Sequence, residues 1–162
     1  MEYLVASIPQ DIELLRKVAE SAFVSTNDAS LDEWFSFDEM QKMIQENRGV
    51  CIKAVDESGL IVGMTYAQQE NPINGREGSE KWVIVITAVI KGQGGKGVGS
   101  SLLTAIEDHA KRQGARKVFV YTNKDDLKVV SFYKKNHYED AGWIRDYQYG
   151  ENNSAIFLPK YL

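Results

Sequence analysis

Five glycines lie within eight residues, at positions 92, 94, 95, 97 and 99, in the segment KGQGGKGVG. Glycine allows positive φ and lets a ligand approach main-chain N–H groups closely. The segment stands between an apolar, β-branched run and an apparent helix. The first turn of a helix adds unpaired N–H donors and the positive end of a dipole. This combination predicts a turn that binds a phosphate or pyrophosphate group.

Three phosphate-binding motifs compete for this segment. A Walker A loop requires Gly-Lys-Ser/Thr, but Lys96 is followed by Gly97, so the hydroxyl that would bind magnesium is missing. Residues 92–97 match G-x-G-x-x-G, the dinucleotide fingerprint, which keeps a nucleotide-dependent oxidoreductase as one hypothesis. That motif also expects an acid at the end of the next strand, where residues 120–123 read VYTN.

The third motif extends the comparison to nearly the whole chain. Residues 95–103, GKGVGSSLL, resemble the R-G-x-G-(I/V)-G-x-x-L-L motif of the GNAT acetyltransferase superfamily. Residues 122–138, TNKDDLKVVSFYKKNHY, resemble its second signature, T-N-x-D-N-x-x-A-x-x-F-Y-x-K-x-G-F. The spacing of the two motifs fits, and the order of elements matches from residue 3 onward. The chain departs from the motifs at Gly94, Asp126, Val129 and His137.

The resemblance implies an N-acetyltransferase that uses acetyl-CoA as the acyl donor. The acceptor would be a primary amine of a small molecule, an amino acid, or a peptide or protein, and it would attack the donor directly. The alternative is a noncatalytic acyl-CoA-binding sensor on the same fold, because Gly94 replaces the usual Arg or Gln and no general base is evident.

The resemblance also implies roles for particular residues. The glycine turn would hold the CoA pyrophosphate, the preceding strand would pair with pantetheine, and Tyr133 would protonate the leaving thiolate as the catalytic acid. Asn123 and Asp126 would bond pantetheine or cap the next helix. The cofactor-binding residues implied are Ala88, Val89, Gly94, Gly95, Lys96, Gly97, Val98, Gly99, Ser100, Asn123, Asp126 and Tyr133.

Other residue types that can do chemistry are sparse. An acceptor amine must lose a proton near neutral pH, and the candidate bases are Glu80, Glu70, Asp28 and Glu33, or an ordered water. His109 and His137 are too isolated to form a metal site, so no metal is expected. The single cysteine, Cys51, lies in an apolar run and is expected to be buried rather than nucleophilic.

Hydrophobic periodicity predicts the elements that must hold these residues. The expected order is β-α-α-β-β-β-α-β-α-β-β, with the strand at residues 82–90 apolar on both faces and therefore central. The first strand is predicted over Tyr3 to Ile8, and the last two over roughly 142–148 and 155–158. The fold class is α/β: a mixed, mostly antiparallel sheet of six to seven strands between helices.

Composition and charge limit the number of domains, the kind of partner and the compartment that can be expected. The 162 residues suit one domain spanning 1–162, and the net charge of −4 argues against a duplex DNA partner. No apolar run is long enough to cross a membrane, no signal peptide is evident, and one cysteine suits a reducing compartment, so a cytoplasmic protein is expected. The aromatic tail near residues 143–149 is expected to line an acceptor pocket, to form a homodimer contact, or simply to pack in the core.

Overall fold

The computed structural model describes residues 1–23, 30–70, 79–148 and 151–162. Its strands are β1 (Glu2–Val5), β2 (Gly49–Val55), β3 (Ile61–Gln69), β4 (Lys81–Val89), β5 (Lys117–Asn123), β6 (Trp143–Ile144) and β7 (Ala155–Tyr161). Its helices are α1 (Ile12–Phe23), α2 (Leu31–Trp34), α3 (Phe37–Gln45), α4 (Val98–Arg112) and α5 (Leu127–Lys135). The seven strands form one sheet in the order β1-β2-β3-β4-β5-β7-β6.

Helices cover both faces of this sheet, as predicted. Helices α4 and α5 pack on one face, where Leu102 and Ile106 have no exposed surface. Helices α1 and α3 pack on the opposite face, where Leu15 is equally buried. All pairings are antiparallel except that of β4 with β5. The predicted α/β class and mixed sheet are therefore confirmed. Within the described residues, no helix is long and apolar enough to span a membrane.

Strand β4 contributes to both cores because a β-bulge interrupts it. Tyr66 of β3 pairs with Ile86, but the next residue, Ala67, pairs with Ile84, so Val85 is an extra residue on β4. One extra residue reverses the face to which later side chains point. Ile84 accordingly packs under α4, and Ile86 packs under α1 and α3.

The first strand ends at Val5, and the prediction that it extends to Ile8 is wrong. Ala6 still donates its N–H to the Cys51 carbonyl at 2.8 Å, but the chain then turns. The Asp11 carboxylate accepts the Ser7 N–H at 2.7 Å and forms an ion pair with Lys53 at 2.6 Å. These bonds draw the chain into α1 and away from the sheet.

The two C-terminal strands also differ from prediction. Strand β6 contains only Trp143 and Ile144, whereas β7 continues through Pro159 to Tyr161. Proline lacks an N–H donor and is tolerated where no neighbouring strand requires one. Because β6 pairs only with Ala155 and Ile156, it does not reach Pro159. Strand β7 therefore runs three residues beyond its predicted end at residue 158.

The C-terminal end of α5 is closed by a left-handed residue. His137 has φ of 68°, its N–H bonds the Lys134 carbonyl at 3.0 Å, and the Tyr138 N–H bonds the Tyr133 carbonyl at 3.1 Å. This pair of bonds is a Schellman motif, in which glycine usually takes the left-handed position. His137 stands at the position of the glycine in the second GNAT motif, and the structure shows it in this left-handed conformation.

A buried ion pair fixes the residue that follows this motif. Tyr138 donates its hydroxyl to Glu107 of α4 at 2.8 Å, and Lys160 of β7 donates to the other oxygen of the same carboxylate at 2.6 Å. Glu107 is only 7% exposed. Burial and the neighbouring carboxylate both raise the pKa of Tyr138 above its ordinary value. The network joins α4, the end of α5 and β7.

Replacing His137 with glycine is expected to stabilise the protein by about 0.5–1 kcal/mol. The left-handed conformation costs a non-glycine residue about 1–2 kcal/mol, and part of that gain is offset by the freer unfolded glycine. Chemical denaturation measures the change. Asn47, with φ of 56°, is the matched control. Because asparagine tolerates this conformation better than histidine, Asn47→Gly should gain less. An equal or smaller gain at His137 would contradict the assigned strain.

Candidate functional site

The site begins where β4 and β5 separate. These parallel strands pair only at Lys81–Lys117, Trp82–Val118 and Val83–Phe119. Beyond Val83, β4 continues to Val89 and β5 continues to Asn123 without pairing to each other. The gap therefore widens toward the carboxyl ends of both strands. It leaves one edge of β4 without backbone partners from the sheet.

The backbone of Val89 faces this gap. Ile90 donates its N–H to the Val62 carbonyl of β3 at 3.0 Å, so its backbone groups point away from β5. Backbone groups of successive residues in a strand point to opposite edges. Those of Val89 and Thr87 consequently point toward the gap, whereas those of Ala88 point toward β3. Within the described residues, β4 thus directs backbone N–H and carbonyl groups into the gap, where an extended ligand can pair with them.

The glycine turn lies directly after this edge. Gly95 and Gly97 have φ of 76° and 80°, and Gly97 is the N-cap of α4. A Cβ at Gly94, Gly95 or Gly97 would meet no atom within 4 Å, so the turn is open to a ligand. Its one polar side-chain bond joins the Lys96 ammonium to the Gln93 amide oxygen at 3.0 Å, at an exposed position.

The first turn of α4 lacks a side-chain cap. A serine caps α3, where Ser36 accepts the Glu39 N–H at 3.2 Å, and Asp126 caps α5 by accepting the Val129 N–H at 3.1 Å. Since α4 begins at a glycine, no side chain bonds its first N–H groups. The uncapped donors belong to Val98, Gly99 and Ser100. Together with the helix dipole, they suit an anionic group.

Gly99 differs from the other glycines of the turn. A Cβ here would lie 3.1 Å from Cζ of Phe132, tighter than ordinary van der Waals contact. The missing side chain lets α4 approach α5 closely. Gly99 therefore sets the distance between the helix that begins at the turn and the helix that carries Tyr133.

Tyr133 projects from α5 into the core beneath β4. It is 5% exposed, and its ring contacts those of Phe132 and Tyr138 at centroid distances of 5.1 and 5.3 Å. Burial raises the pKa of Tyr133 to about 12, and the Thr87 side chain acts in the opposite direction. The phenol is therefore held in its neutral form at physiological pH.

Asn123 and Asp126 shape the turn between β5 and α5. The Asn123 side chain accepts the Asp125 N–H at 2.8 Å and donates to Asn153 at 3.1 Å. Asp126 caps α5. Capping was one of the two roles that the sequence left open, and the structure shows it for Asp126. Both residues lie at the carboxyl end of β5, on the border of the gap.

Three of the acids considered as general bases, Glu80, Glu70 and Glu33, have other partners in the described part of the chain. Glu80 and Glu70 lie at the amino end of β4, opposite the glycine turn; Glu80 contacts Arg116 at 3.8 Å and Glu70 contacts Lys81 at 2.8 Å. Glu33 accepts the Ser30 N–H at 2.7 Å in the capping box of α2. Asp28 lies outside the described residues.

Sequence reasoning missed Thr87, which lies opposite Thr65 of β3 in an otherwise apolar pair of strands. Their hydroxyl oxygens are 2.9 Å apart. The signal in the sequence was a threonine within the apolar run WVIVITAVI, but its partners belong to distant segments.

Burial is the largest cause of the pKa shifts of the two other side chains that the sequence singled out, Cys51 and His109. Cys51 is 1% exposed, as predicted, and burial raises its pKa. Burial lowers the pKa of His109.

The tail forms a pocket of about 210 Å³ just beyond β5. It presents two cationic and two acidic side chains beside an indole. Trp143 is 53% exposed, and the Lys124 ammonium lies 5.3 Å from the centre of its ring. The pocket is lined by Lys124, Asp125, Trp143, Arg145, Asp146, Asn152 and Ser154.

A family model and a curated relative match parts of this chain. Residues 12–138 match the family model described as Acetyltransferase (GNAT) family. The uncharacterized protein YdhI of Bacillus subtilis (strain 168) is 32% identical over 89 residues. That match covers 54% of this chain and 49% of YdhI, so it spans about half of each protein.

Solved structures share the fold at low sequence identity. A ribosomal-protein-alanine N-acetyltransferase from Brucella melitensis superposes with a TM-score of 0.79 at 15% identity, covering 100% of both chains. The yncA protein of Salmonella typhimurium, solved with its cofactor acetyl-CoA, gives a TM-score of 0.80 at 15% identity, covering 100% of this chain and 94% of that one.

The burial of Tyr133 predicts its behaviour in alkali. Because the folded protein raises the pKa of Tyr133 to about 12, above the unfolded value of about 10, the folded state should bind one more proton than the unfolded state between these values. This contribution to stability is complete below pH 10 and declines as pH rises through the folded pKa. Tyrosinate absorbance of the wild type minus that of Tyr133→Phe should show no Tyr133 ionisation at pH 10. About half a tyrosinate equivalent there, as a tyrosine of ordinary pKa would give, would contradict the assigned burial.

Proposed function

The chain belongs to the GNAT acetyltransferase family, and from this membership we propose that it transfers an acetyl group from acetyl-CoA to a primary amine. The observation that carries the proposal is the gap between β4 and β5, with an uncapped glycine turn at its mouth and a buried, protonated tyrosine beside it. These three features provide an edge for an extended chain, donors for an anion and an acid for a leaving group.

Backbone groups bind most of the acyl donor in this proposal, and side chains border its path. We assign the pyrophosphate to N–H groups of Gly95 to Ser100, because positive φ at Gly95 and Gly97 exposes the main chain. The pantetheine amides suit the free backbone groups of Val89. Ala88 and Gly94 border this path, and Asn123 and Asp126 shape its opposite wall. A CoA thioester fits residues arranged in this order.

The proposed reaction needs only one side chain, that of Tyr133, as a chemical group. Acetyl-CoA supplies a thioester carbonyl that a neutral amine can attack, forming a C–N bond as the C–S bond breaks. The Val89 N–H can stabilise charge that develops on the carbonyl oxygen. Tyr133 is protonated at physiological pH, and it can give that proton to the leaving sulfur. The proton lost by the amine passes to water.

The acceptor is proposed at the level of a class: a small-molecule, amino-acid or peptide amine. The structural neighbour from Brucella melitensis is named for an alanine of a ribosomal protein, which supports a peptide amine as one member of the class. The pocket beyond β5 carries charges of both signs, and it suits an acceptor that is itself charged.

Calorimetric titration with acetyl-CoA, with NAD and ATP as controls, tests the donor site. Binding of acetyl-CoA alone in the micromolar range, about −8 kcal/mol, supports the proposal. A thiol-release assay with a panel of amines then tests transfer. Binding without turnover across the panel would instead favour the noncatalytic sensor, and folded protein that binds no acetyl-CoA would overturn both functions.

Gly97→Val is expected to weaken acetyl-CoA binding by at least about tenfold, because a β-branched side chain enters the open turn and disfavours φ of 80°. Gly59→Val is the matched control. Gly59 has φ of 84° and equally open surroundings, but it lies in the β2–β3 turn. Both variants should lose similar stability by denaturation, and only Gly97→Val should lose affinity by calorimetry. Full affinity in folded Gly97→Val would remove the turn from the donor site.

Tyr133→Phe is expected to lower kcat by about 10²–10⁴, the usual contribution of a general acid. Acetyl-CoA affinity should change little, because the ring and its packing are retained. Steady-state kinetics and calorimetry measure the two effects separately. Tyr138→Phe makes the same chemical change in the adjacent ring and should leave turnover near the wild-type value. Equal turnover in wild type and Tyr133→Phe would exclude Tyr133 as the acid.

A further inference from the structure

Three aromatic rings, those of Tyr121, Tyr147 and Phe157, form a cluster on the face of the sheet that carries α1 and α3. Val118 and Val120 of β5 belong to the core under α4 and α5, so Tyr121, which alternates with them, points to the opposite face. Phe157 lies directly opposite Tyr121 on β7. The Tyr147 ring packs edge-on against both, with centroid distances of 5.4 Å to Tyr121 and 5.2 Å to Phe157.

The helices α1 and α3 do not extend over this aromatic cluster. The core beneath them contains residues of β2, β3 and β4 but, within the described chain, none of β5 or β7. Tyr121 is 39% exposed and Tyr147 is 48% exposed. Exposed apolar side chains that lie together mark a binding surface more often than scattered ones do. The aromatic cluster is therefore a candidate ligand site.

The aromatic cluster borders the gap between β4 and β5. Phe119 is the last residue of β5 that pairs with β4, and Tyr121 lies two residues beyond it, on the strand that forms one wall of the gap. On the other face of the sheet, α4 and α5 pack together at Gly99 and Phe132, and Tyr133 is buried. An amine that reaches a thioester in the gap therefore comes from the face of the aromatic cluster, past Tyr121.

The residues of β5 and β7 that point to this face include no carboxylate. Alternation along the two strands brings to it Lys117, Phe119, Tyr121, Asn123, Ala155, Phe157, Pro159 and Tyr161. An acceptor with several ammonium groups would have to place them on apolar rings without a counter-ion, which is costly. An amine joined to an apolar group instead buries that group against the rings and leaves the nitrogen for the gap.

The charged pocket beyond β5 lies on the opposite face of the sheet. Trp143, which lines this pocket, pairs with Ile156, and Ile156 belongs to the core under α4 and α5. Paired residues of neighbouring strands point to the same face. Asp146, the acid next to Tyr147, lines the same pocket and accepts the Asn152 N–H at 3.0 Å. The pocket and the aromatic cluster are therefore separate candidate sites for the acceptor.

We propose that Tyr121, Tyr147 and Phe157 bind the acceptor and select a primary amine joined by a short chain to an aromatic or aliphatic group. This inference rests on the proposed acetyl transfer and narrows its acceptor class. The apolar group packs on the rings, and the nitrogen extends past Tyr121 to the thioester. The C–N bond forms as the C–S bond breaks, the sulfur takes the Tyr133 proton, and the amine gives its proton to water.

A comparison of two amines tests this selection. 2-Phenylethylamine and ethylamine carry the same reacting group and differ by one phenyl group, so the ratio of their kcat/KM values measures the contribution of the rings. We expect the wild type to prefer 2-phenylethylamine over ethylamine, and over the polycation spermidine, by at least about tenfold. Equal use of 2-phenylethylamine and ethylamine, or a preference for spermidine, would overturn the inference.

Tyr147→Ala is expected to lower the preference for 2-phenylethylamine over ethylamine about tenfold, because the phenyl group loses part of its apolar contact. Tyr161→Ala is the matched control. Tyr161 is a 72% exposed tyrosine on the same face, but it lies about 13 Å from Phe157 along β7, so its removal should leave the ratio unchanged. An equal loss in Tyr161→Ala would show a general effect of removing an exposed ring and contradict the assignment.

Binding of the acceptor can also be measured without turnover. Protein loaded with CoA, which has no acetyl group to transfer, is titrated calorimetrically with 2-phenylethylamine. Tyr147→Ala should weaken this binding about tenfold, whereas acetyl-CoA affinity should match that of the wild type. Unchanged binding of 2-phenylethylamine in folded Tyr147→Ala would exclude the aromatic cluster as its site.

The outcomes separate this inference from the proposed function. If the wild type transfers acetyl groups but Tyr147→Ala leaves the choice of amine unchanged, the inference is wrong and the proposed function stands. If Arg145→Ala changes that choice and Tyr147→Ala does not, the charged pocket binds the acceptor and the inference is overturned. If the wild type releases CoA with no amine, the proposed function is wrong and the inference falls with it. Should Tyr147→Ala fail to fold, Tyr121→Ala decides the same comparison.

Discussion

The separation of β4 from β5 is the constraint on which the rest of the molecule depends. A strand in the middle of a sheet normally has every backbone group paired. Here the pairing stops at Val83, although both strands continue. Each strand then leads into a helix, so that α4 begins at the mouth of the gap and α5 closes its side. Gly99 permits the close contact of these helices at Phe132, and the gap therefore has two rigid walls.

Helix α5, the second wall of the gap, is held in place by a network of buried contacts that begins at Tyr133 and Tyr138. Tyr133 provides both the carbonyl that accepts the Tyr138 N–H and the ring that packs on Tyr138. Tyr138 is in turn bonded to Glu107, which binds Lys160 of β7. Removing one member of such a network leaves a buried polar group without its partner, which is costly. The strained conformation of His137 persists because these surrounding bonds hold the turn in one geometry.

Much of this arrangement could be predicted from local patterns, and the remainder depends on contacts between distant segments. The apolar run of β4 predicted a doubly covered strand, but it concealed the bulge, since Val85 and its neighbours are apolar in either register. Glycine spacing predicted the turn after β4. The length of the β4–β5 pairing and the Thr65–Thr87 contact have no local signature. The predicted end of β7 was three residues early, because the pairing that extends it to Tyr161 is made with β5, a distant segment.

Thr65 and Thr87 show how two polar side chains can be buried in a core with little loss of stability. Valine at both positions would fill the same space without polar atoms, and a single unpaired hydroxyl there would be destabilising. Two hydroxyls placed opposite each other satisfy one another, and Ile86 offers a further acceptor. The pair can therefore change its direction of donation without breaking the sheet, because no backbone bond depends on it.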